Sequence, residues 1–349
     1  MPRRSSLSEL SLVEQIRRTA LRRRKNIPLG IGDDCAILRP PPGHEILVTT
    51  DFTLEGRHFR RDTHPPESVG CRCIARGISD IAAMGGNPIA AFLSLAVPAD
   101  LLASPSGQTW ITRFFQGLHS LADQHEITLA GGDTAESPSE HILADIVLTG
   151  SAPTGKAIRR STAVAGDLLY VTGYLGGAAA ELQTLLTATS RTQRFPRPGP
   201  SHPQLFPAPR VAVGKALLRS NLASACLDLS DGLSTDLAHL CQASKLHATL
   251  NQSALPIHPL ARKLTETEAL YLALHGGEDY ELLFSASPTT RIPRRISGIP
   301  VTQIGNLTRP TRNSPQITLL TPKDHTQPLI PSGWEHFRTS EPLSGSQIH

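Results

Sequence analysis

The chain has few aromatic residues and no long hydrophobic run. Aromatic side chains make up 4% of its 349 residues, and they are not interleaved with basic residues as in nucleic-acid-binding segments. The longest apolar stretch, from Pro88 to Pro98, is far shorter than the roughly 20 residues that a membrane-spanning helix needs. These absences argue against a membrane protein and against a nucleic-acid partner.

Cysteines are also few, and they follow no familiar pattern. The five cysteines are odd in number, and Cys71-Arg72-Cys73 has the wrong spacing for a zinc knuckle or a CxxC redox pair. No signal peptide is visible, because no apolar core segment follows the basic start of the chain. We therefore expect a cytoplasmic protein with free thiols.

Positive charge is concentrated near the start of the chain. The net charge is +4, and much of the excess comes from arginines before Asn26. Leu7, Leu10, Val13 and Ile16 recur at helical spacing, which predicts an amphipathic first helix. Nucleic acid or a membrane surface could contact its basic face. A solvated face is the interpretation we prefer, because no recognition-helix pattern accompanies it.

Predicted strands and helices alternate along the chain. A buried strand is predicted over 45–51, and a helix over 68–85 with Ser68 as a possible N-cap. Further strands are predicted over 92–97, 127–130, 141–149, 167–173 and 225–229 and at the end of 277–284. Further helices are predicted over 109–125, 177–187, 211–221 and 231–243. This alternation predicts an α/β fold built from layers.

The length of the chain is comfortable for two domains. We expect them to divide near residue 150, giving an N-terminal unit over 1–150 and a C-terminal α/β unit over 151–349. Residues 191–210 contain six prolines, which predicts a surface loop or insertion outside the core. The polar tail beyond Thr339 is expected to fray.

Seven aspartates stand in short stretches rich in glycine, serine and threonine. These stretches are Gly30-Ile31-Gly32-Asp33-Asp34, Thr49-Thr50-Asp51, Ser79-Asp80, Gly131-Gly132-Asp133-Thr134 and Asp228-Leu229-Ser230-Asp231-Gly232. Oxygen ligands suit Mg²⁺, and glycine lets backbone N–H groups approach phosphate. Two carboxylates about 4 Å apart would repel by roughly 4 kcal/mol at an effective dielectric constant of about 20. We therefore expect these side chains to meet in one cleft around metal ions, or not to meet at all.

Each stretch also has an ordinary structural explanation when it is taken alone. The Gly30–Asp34 stretch could form an Asx turn, and Asp80 could pair with Arg76 one helical turn away. Helix capping could explain either Asp228 or Asp231. Because the same local pattern occurs five times, a shared functional site is the better explanation.

Taken together, these stretches resemble the thiamine-monophosphate kinase family. This family belongs to a superfamily of ATP-binding proteins that includes aminoimidazole ribonucleotide synthetase and selenophosphate synthetase. The resemblance runs from about Leu29 to Phe337, and it also rests on two longer blocks. These are Ser79-Asp80-Ile81-Ala82-Ala83-Met84-Gly85 and Gly276-Gly277-Glu278-Asp279-Tyr280-Glu281-Leu282. The resemblance implies a two-domain fold like that of aminoimidazole ribonucleotide synthetase, and a homodimer whose N-terminal domains pair their sheets.

The resemblance further implies a reaction and the residues that perform it. ATP would phosphorylate thiamine monophosphate directly, with several Mg²⁺ ions, in the last step of thiamine diphosphate biosynthesis. The implied metal ligands are Asp34, Thr49, Thr50, Asp51, Asp80, Asp133, Asp228 and Asp231, of which Asp51, Asp80 and Asp231 would be catalytic. The implied ATP contacts are Gly132, Asp133, Ser230 and Arg160, with Arg159 as the alternative to Arg160. The implied thiamine contacts are His58, Glu278 and Trp334.

Two other functions remain open from the sequence. A sister enzyme that makes selenophosphate or aminoimidazole ribonucleotide is the nearest rival. Selenophosphate synthesis is disfavoured because no cysteine precedes Gly30 in a glycine-rich loop; the first is Cys35. The second rival is a non-catalytic module that binds Mg²⁺ and nucleotide and works through partners. The presence of every acidic stretch argues against it.

Overall fold

The computed structural model describes residues 14, 16–18, 25–187, 201–312 and 314–335. Most of the predicted first helix lies outside these residues, although 16–18 are helical. The tail beyond Thr339 and the part of the proline-rich stretch over 191–200 also lie outside them. Among the described residues, no helix has both the length and the hydropathy needed to cross a bilayer. All five cysteines are free thiols, as predicted.

The first sheet contains four strands, β1 (His44–Leu54), β2 (Asn87–Val97), β3 (Thr128–Glu136) and β4 (Leu143–Pro153). Their order is β1-β4-β2-β3, with β4 antiparallel to β1 and β2 and with β2 parallel to β3. Side chains alternate between the two faces of a strand. In β1, Leu47 and Thr53 are buried, whereas Val48 is 65% exposed and Phe52 is 61% exposed. The sheet therefore has one covered face and one open face.

Helices cover the inner face of this sheet. Helix α1 (Pro66–Ala83) contacts the sheet directly. The short α2 (Ala99–Ala103) has no buried residue and leads into α3 (Pro105–Gln124), which packs on α1. Ile74 and Ile78 of α1 are fully buried in the same core as Phe114 and Leu118 of α3. The prediction of Ser68 as a possible N-cap is wrong, because α1 begins at Pro66 and Ser68 lies inside the helix. The fixed φ of proline suits the first turn of a helix.

The second sheet is larger and contains the remaining strands, β5 (Leu168–Thr172), β6 (Ala225–Asp228), β7 (His247–Asn251), β8 (Leu282–Ala286), β9 (Arg295–Ile296), β10 (Ile299–Thr308), β11 (Ile317–Leu320) and β12 (Thr326–Pro328). Its order is β12-β11-β7-β10-β5-β8-β6, and β9 pairs with β10. The helices of this half are α4 (Gly177–Thr187), α5 (Val211–Arg219), α6 (Leu233–Ser244) and α7 (Glu266–His275), with short 3₁₀ helices at Gln252–Ala254 and Ala261–Lys263. The predicted layered α/β fold is confirmed.

The two halves of the chain pack against each other. Helix α5 lies against α1, and a Cβ at Gly214 would collide with the carbonyl oxygen of Ala82. Only glycine allows this close approach. Leu205, Phe206 and Val211 from the second half belong to the core of the first sheet. Contacts across the halves therefore fix how the two sheets face each other.

The described part of the proline-rich stretch, 201–210, lies partly inside the protein, which its composition did not predict. This part contains no helix or strand, in line with the proline content. However, Gln204 and Leu205 are buried and Phe206 is 8% exposed. The division of the chain near residue 150 stays a prediction, and β4 continues past that point to Pro153.

Candidate active site

One face of α1 carries three charged residues at intervals of one helical turn. Arg72, Arg76 and Asp80 are each four positions apart, so they lie along one stripe of the helix. Helix α1 contacts β1 and β4 on one side and β6 on the other. The stripe therefore lies where the two halves of the chain meet.

The first group of carboxylates, Asp51, Asp80 and Asp228, gathers at the end of this stripe. Asp51 comes from β1, Asp80 from α1, and Asp228 from the last position of β6. The Thr49 hydroxyl donates a hydrogen bond to Asp80. The Ser79 hydroxyl donates to Oδ2 of Asp228 at 2.7 Å. Three segments that are far apart in sequence thus bring three predicted metal ligands together.

This first group is short of positive charge. Burial and then the charge of Asp80 raise the pKa of Asp51 to about 7. The same two causes, in the same order, raise the pKa of Asp228 to about 7, and burial raises the pKa of Asp80 itself. Oδ2 of Asp51 is buried and accepts no hydrogen bond. Carboxylate and hydroxyl oxygens around such an atom are the ligand set that a hard divalent cation prefers.

Asp145 is a fourth carboxylate near this group, and sequence reasoning missed it. Its Oδ1 accepts a hydrogen bond from the Thr50 hydroxyl at 2.7 Å, and its charge also raises the pKa of Asp51. Thr49 and Thr50 are adjacent in β1, so they serve opposite faces of the sheet. Asp145 is the one charged residue in the sequence of β4. A lone carboxylate in an otherwise uncharged strand was the feature that could have indicated a site residue.

The second group consists of Asp34, Gly132 and Asp133. They line a cavity of about 710 Å³, together with other residues of the two glycine-rich stretches and with Phe92 and Phe115. Asp133 is in register with Ser94 of β2, which is in register with Asp145 of β4. Residues in register share one face of a sheet, and two strand spacings amount to about 10 Å. The second group is therefore a neighbour of Asp145 on the open face.

The third group consists of Asp231, Asp236 and His239, whose ligand atoms lie within 4.8 Å of one another. Oδ2 of Asp236 accepts the backbone N–H groups of Asp231 and Gly232 at 3.0 Å. Gly232 has a φ of 108°, which favours glycine at this turn. Trp334 lines the same cavity of about 400 Å³, and its backbone N–H donates to the backbone carbonyl oxygen of Asp231 at 3.0 Å.

The expectation that all seven aspartates meet in one cleft stays a prediction. The structure places the predicted metal ligands in three neighbouring groups. The first and third groups are linked, because the charges of Asp228 and Asp231 both raise the pKa of Asp236, after burial as the main cause. Carboxylates distributed in this way limit the repulsion that a single cluster would suffer.

Two of the three predicted thiamine contacts are joined by Arg72, which sequence reasoning missed. Arg72 is 2% exposed. Its Nη2 donates to the backbone carbonyl oxygen of His58 at 2.8 Å and to both carboxylate oxygens of Glu278 at 2.8 and 2.9 Å. Its Nη1 donates to the backbone carbonyl oxygen of Gln204 at 2.5 Å. Trp334, the third predicted contact, lies instead in the cavity of the third group.

Glu278 stays ionised because cations surround it. Burial alone would raise its pKa, but Arg72 and Arg76 outweigh burial and hold the pKa at about 2. Gln204 donates from Nε2 to Oε2 at 2.9 Å. Gln204 belongs to the proline-rich stretch, so composition gave no signal that it would reach the site.

Two predicted ATP contacts also lie beside these groups. The positive charge of Arg160 lowers the pKa of Asp80, against the larger effect of burial. The backbone oxygen of Ser230 accepts the N–H of Glu278 at 2.8 Å. Arg160 and Ser230 therefore lie next to the first group and next to Glu278, respectively.

Comparison with known proteins identifies the family. Residues 32–152 match the family model of the AIR synthase related protein, N-terminal domain. The thiamine-monophosphate kinase of Salmonella typhimurium is 35% identical over 304 residues, covering 86% of this chain and 90% of the relative. The chain belongs to the thiamine-monophosphate kinase family. Membership of this family makes it an enzyme of the kinase class, as the sequence motifs predicted.

Solved structures of the thiamine-monophosphate kinase family share the fold. The enzyme from Stenotrophomonas maltophilia K279a matches with a TM-score of 0.74 and 33% identity, covering 90% of this chain and 97% of that one. A structure of AaThiL complexed with AMPPCP and TMP matches with a TM-score of 0.71 and 28% identity, covering 97% and 99%. The mixed α/β architecture with two sheets is therefore that of the family.

Proposed function

We propose that this chain transfers the γ-phosphoryl group of ATP to thiamine monophosphate, giving thiamine diphosphate and ADP. This reaction would be the last step of thiamine diphosphate biosynthesis. Family membership supports it, as does the relative that binds AMPPCP and TMP. The observation that carries the proposal is the first group, Asp51, Asp80 and Asp228, a buried set of carboxylates whose negative charge Arg76 and Arg160 offset only in part.

We propose Mg²⁺ as the metal, because carboxylate and hydroxyl oxygens suit it. We propose as its ligands the residues that the motifs implied, namely Asp34, Thr49, Thr50, Asp51, Asp80, Asp133, Asp228 and Asp231. When bound, Mg²⁺ would neutralise the negative charge of the phosphates and orient them. Among the ligands, Asp51, Asp80 and Asp231 would be the catalytic residues.

The acceptor and donor would be held by different parts of the site. We propose that Gly132, Asp133, Arg160 and Ser230 contact ATP, and that His58, Glu278 and Trp334 contact the thiamine moiety. The acceptor already carries an anionic phosphate oxygen, so its attack needs little help from a general base. In a direct in-line transfer, that oxygen forms a bond to the γ-phosphorus while the bond to the β–γ bridging oxygen breaks and ADP leaves.

The direct test is an assay with ATP, Mg²⁺ and thiamine monophosphate, followed by chromatography for thiamine diphosphate. We expect Asp51→Asn to abolish turnover and to leave the circular dichroism spectrum unchanged. The matched control is Asp100→Asn, at an exposed position of α2, which should retain wild-type turnover. Wild-type-like turnover of Asp51→Asn at saturating Mg²⁺ would count against the proposed metal role.

Rapid-quench experiments test the direct transfer. With γ-³²P-labelled ATP, label should pass from ATP to thiamine diphosphate without residence on the protein. A phosphorylated side chain that forms and decays at the rate of turnover would contradict the in-line mechanism.

We also propose that the enzyme is a homodimer. The open face of the first sheet supports this, because Ile46, Val48 and Phe52 of β1 are 41%, 65% and 61% exposed. An apolar row on an open sheet face is typical of a surface that a second copy covers.

A further inference from the structure

Arg76 lies between the first carboxylate group and Glu278. Its Nε is 3.8 Å from Oδ1 of Asp51, and its Nη1 is 3.3 Å from Oε1 of Glu278. The Arg76 side chain is 16% exposed, and its Nε is buried without a hydrogen-bond partner. A buried guanidinium with such long contacts is poorly satisfied.

Arg72, one helical turn earlier, shows how a structural arginine is held in this protein. It donates hydrogen bonds to two backbone oxygens, those of His58 and Gln204, and to both oxygens of Glu278. Arginine has five N–H donors. Among the described residues, Arg76 uses one of them in a hydrogen bond, the long one to Glu278. Most of the donors of Arg76 therefore remain available.

Glu278 does not need Arg76 for its own hydrogen bonding. Oε2 accepts from Arg72 and Gln204, and Oε1 accepts from Arg72 at 2.8 Å. The contact from Arg76 is longer than each of these. Arg76 can therefore turn toward another anion without leaving Glu278 unpaired.

A phosphate monoester is the anion that this arrangement suits. The planar guanidinium fork matches two phosphate oxygens at once. Without a nearby cation, a phosphate entering beside Asp51, Asp80 and Asp228 would meet negative charge alone. Arg76 stands where a molecule bound near Glu278 would extend toward Asp51.

We propose that Arg76 binds the phosphate of thiamine monophosphate and holds its acceptor oxygen beside Asp51. This inference rests on the proposed function and deepens it by naming the residue that recognises the acceptor phosphate. Arg76 would then be a catalytic residue, and it would give the site its preference for thiamine monophosphate over unphosphorylated thiamine.

Calorimetric titration without ATP tests this role, with thiamine monophosphate and thiamine as probes at a fixed Mg²⁺ concentration. Wild type should bind the monophosphate about tenfold to a hundredfold more tightly than thiamine, the range expected for hydrogen bonds between charged groups. Arg76→Gln should lose most of this preference while its affinity for thiamine stays within about twofold. Arg76→Lys should keep part of it, because the charge remains and the fork is lost.

Steady-state kinetics add a second measurement. Arg76→Gln should raise KM for thiamine monophosphate and leave KM for ATP near the wild-type value. The matched control is Arg113→Gln, which removes a partly exposed ion pair with Glu67 on the α3 side of α1 and should behave as wild type. Circular dichroism checks the fold of each variant. If Arg76→Gln is unfolded, the same binding and kinetic measurements are made on Arg76→Lys.

The proposal and the function that it rests on can fail separately. An unchanged preference for the monophosphate in Arg76→Gln and Arg76→Lys would overturn the role of Arg76. An equal loss of affinity for both probes would also overturn it, because Arg76 would then act by positioning Glu278. If the wild-type protein binds thiamine monophosphate in preference to thiamine but makes no thiamine diphosphate, the proposed function is wrong. The proposed contact between Arg76 and the phosphate would still hold in that case.

Discussion

The surroundings of a buried carboxylate decide its charge in this protein. Asp51 and Glu278 both contact Arg76, yet their pKa values move in opposite directions. For Asp51, burial and neighbouring carboxylates win. For Glu278, two arginines outweigh burial. Glu278 is therefore ionised at neutral pH, whereas the ionised form of Asp51 is the one that a bound cation would stabilise.

His64 offers a test of burial acting on a single side chain. Burial and then the charge of Arg72 lower its pKa to about 3. The unfolded chain binds this proton near pH 6.5, so the contribution of His64 to stability is full above that value and is lost as the pH falls toward 3. From pH 7 to pH 5 we expect a loss of about 2 kcal/mol from this residue.

Urea unfolding at pH 7 and pH 5 measures this effect. His64→Gln should show a smaller loss of stability between these pH values than wild type, by about 2 kcal/mol. His325→Gln, at an exposed position, is the control and should follow wild type. An equally steep pH dependence in wild type and His64→Gln would show that His64 is not the group that titrates.

Among the secondary structure elements, α4 depends on a residue that is remote in sequence. Asp279 accepts the backbone N–H of Gly176 at 2.6 Å and that of Ala178 at 3.1 Å, where α4 begins. A carboxylate at the N-terminal end of a helix accepts hydrogen bonds from the free N–H groups and interacts favourably with the positive end of the helix dipole. The acidic residue of a distant loop thus serves as the cap of α4.

Removing this cap should destabilise the protein. We expect Asp279→Ala to lower the free energy of unfolding by about 1–2 kcal/mol, measured by urea denaturation at pH 7. Asp279→Asn should lose less, because its amide oxygen still accepts one hydrogen bond. Equal stability of Asp279→Ala and wild type would mean that water replaces the carboxylate at no cost.

Local patterns predicted most of the elements. Helix α4 has the predicted bounds, and the predicted strand over 45–51 is present as β1, although β1 continues to Leu54 and so contains Asp51 instead of ending at it. These features depend on residues close together in sequence, where periodicity and capping act. The family was predicted for the same reason, since each of its motifs is a short continuous stretch.

The missed site residues share a different property. Arg72 and Gln204 are 132 positions apart, and their contact exists because the two halves pack together. Asp145 lies in an alternating strand, where a carboxylate is normally solvated. Asp236 continues the third group from inside α6 and resembles an ordinary first-turn acidic residue. Long-range packing decides the role of each, and a single sequence does not reveal it.

At the scale of the whole molecule, the open face of the first sheet predicts the oligomeric state. Val48→Asp places a charge in the middle of the row formed by Ile46, Val48 and Phe52, so it should convert the proposed dimer to a monomer in analytical ultracentrifugation. Val164→Asp is the control, because Val164 is also 60% exposed but lies outside this sheet. A dimeric Val48→Asp variant, or a monomeric wild type, would contradict the proposed interface.

Leu205 and Phe206 come from one half of the chain and complete the core of the other. Removal of a buried side chain of this size lowers the free energy of unfolding by about 2–5 kcal/mol. Two such losses are a large share of the roughly 5–15 kcal/mol by which a domain is stable. If the second half unfolds, the first half loses these two side chains from its core. We therefore expect both halves to unfold together, in a single calorimetric transition. For the same reason, the first half expressed without residues 201–211 would lack part of its core.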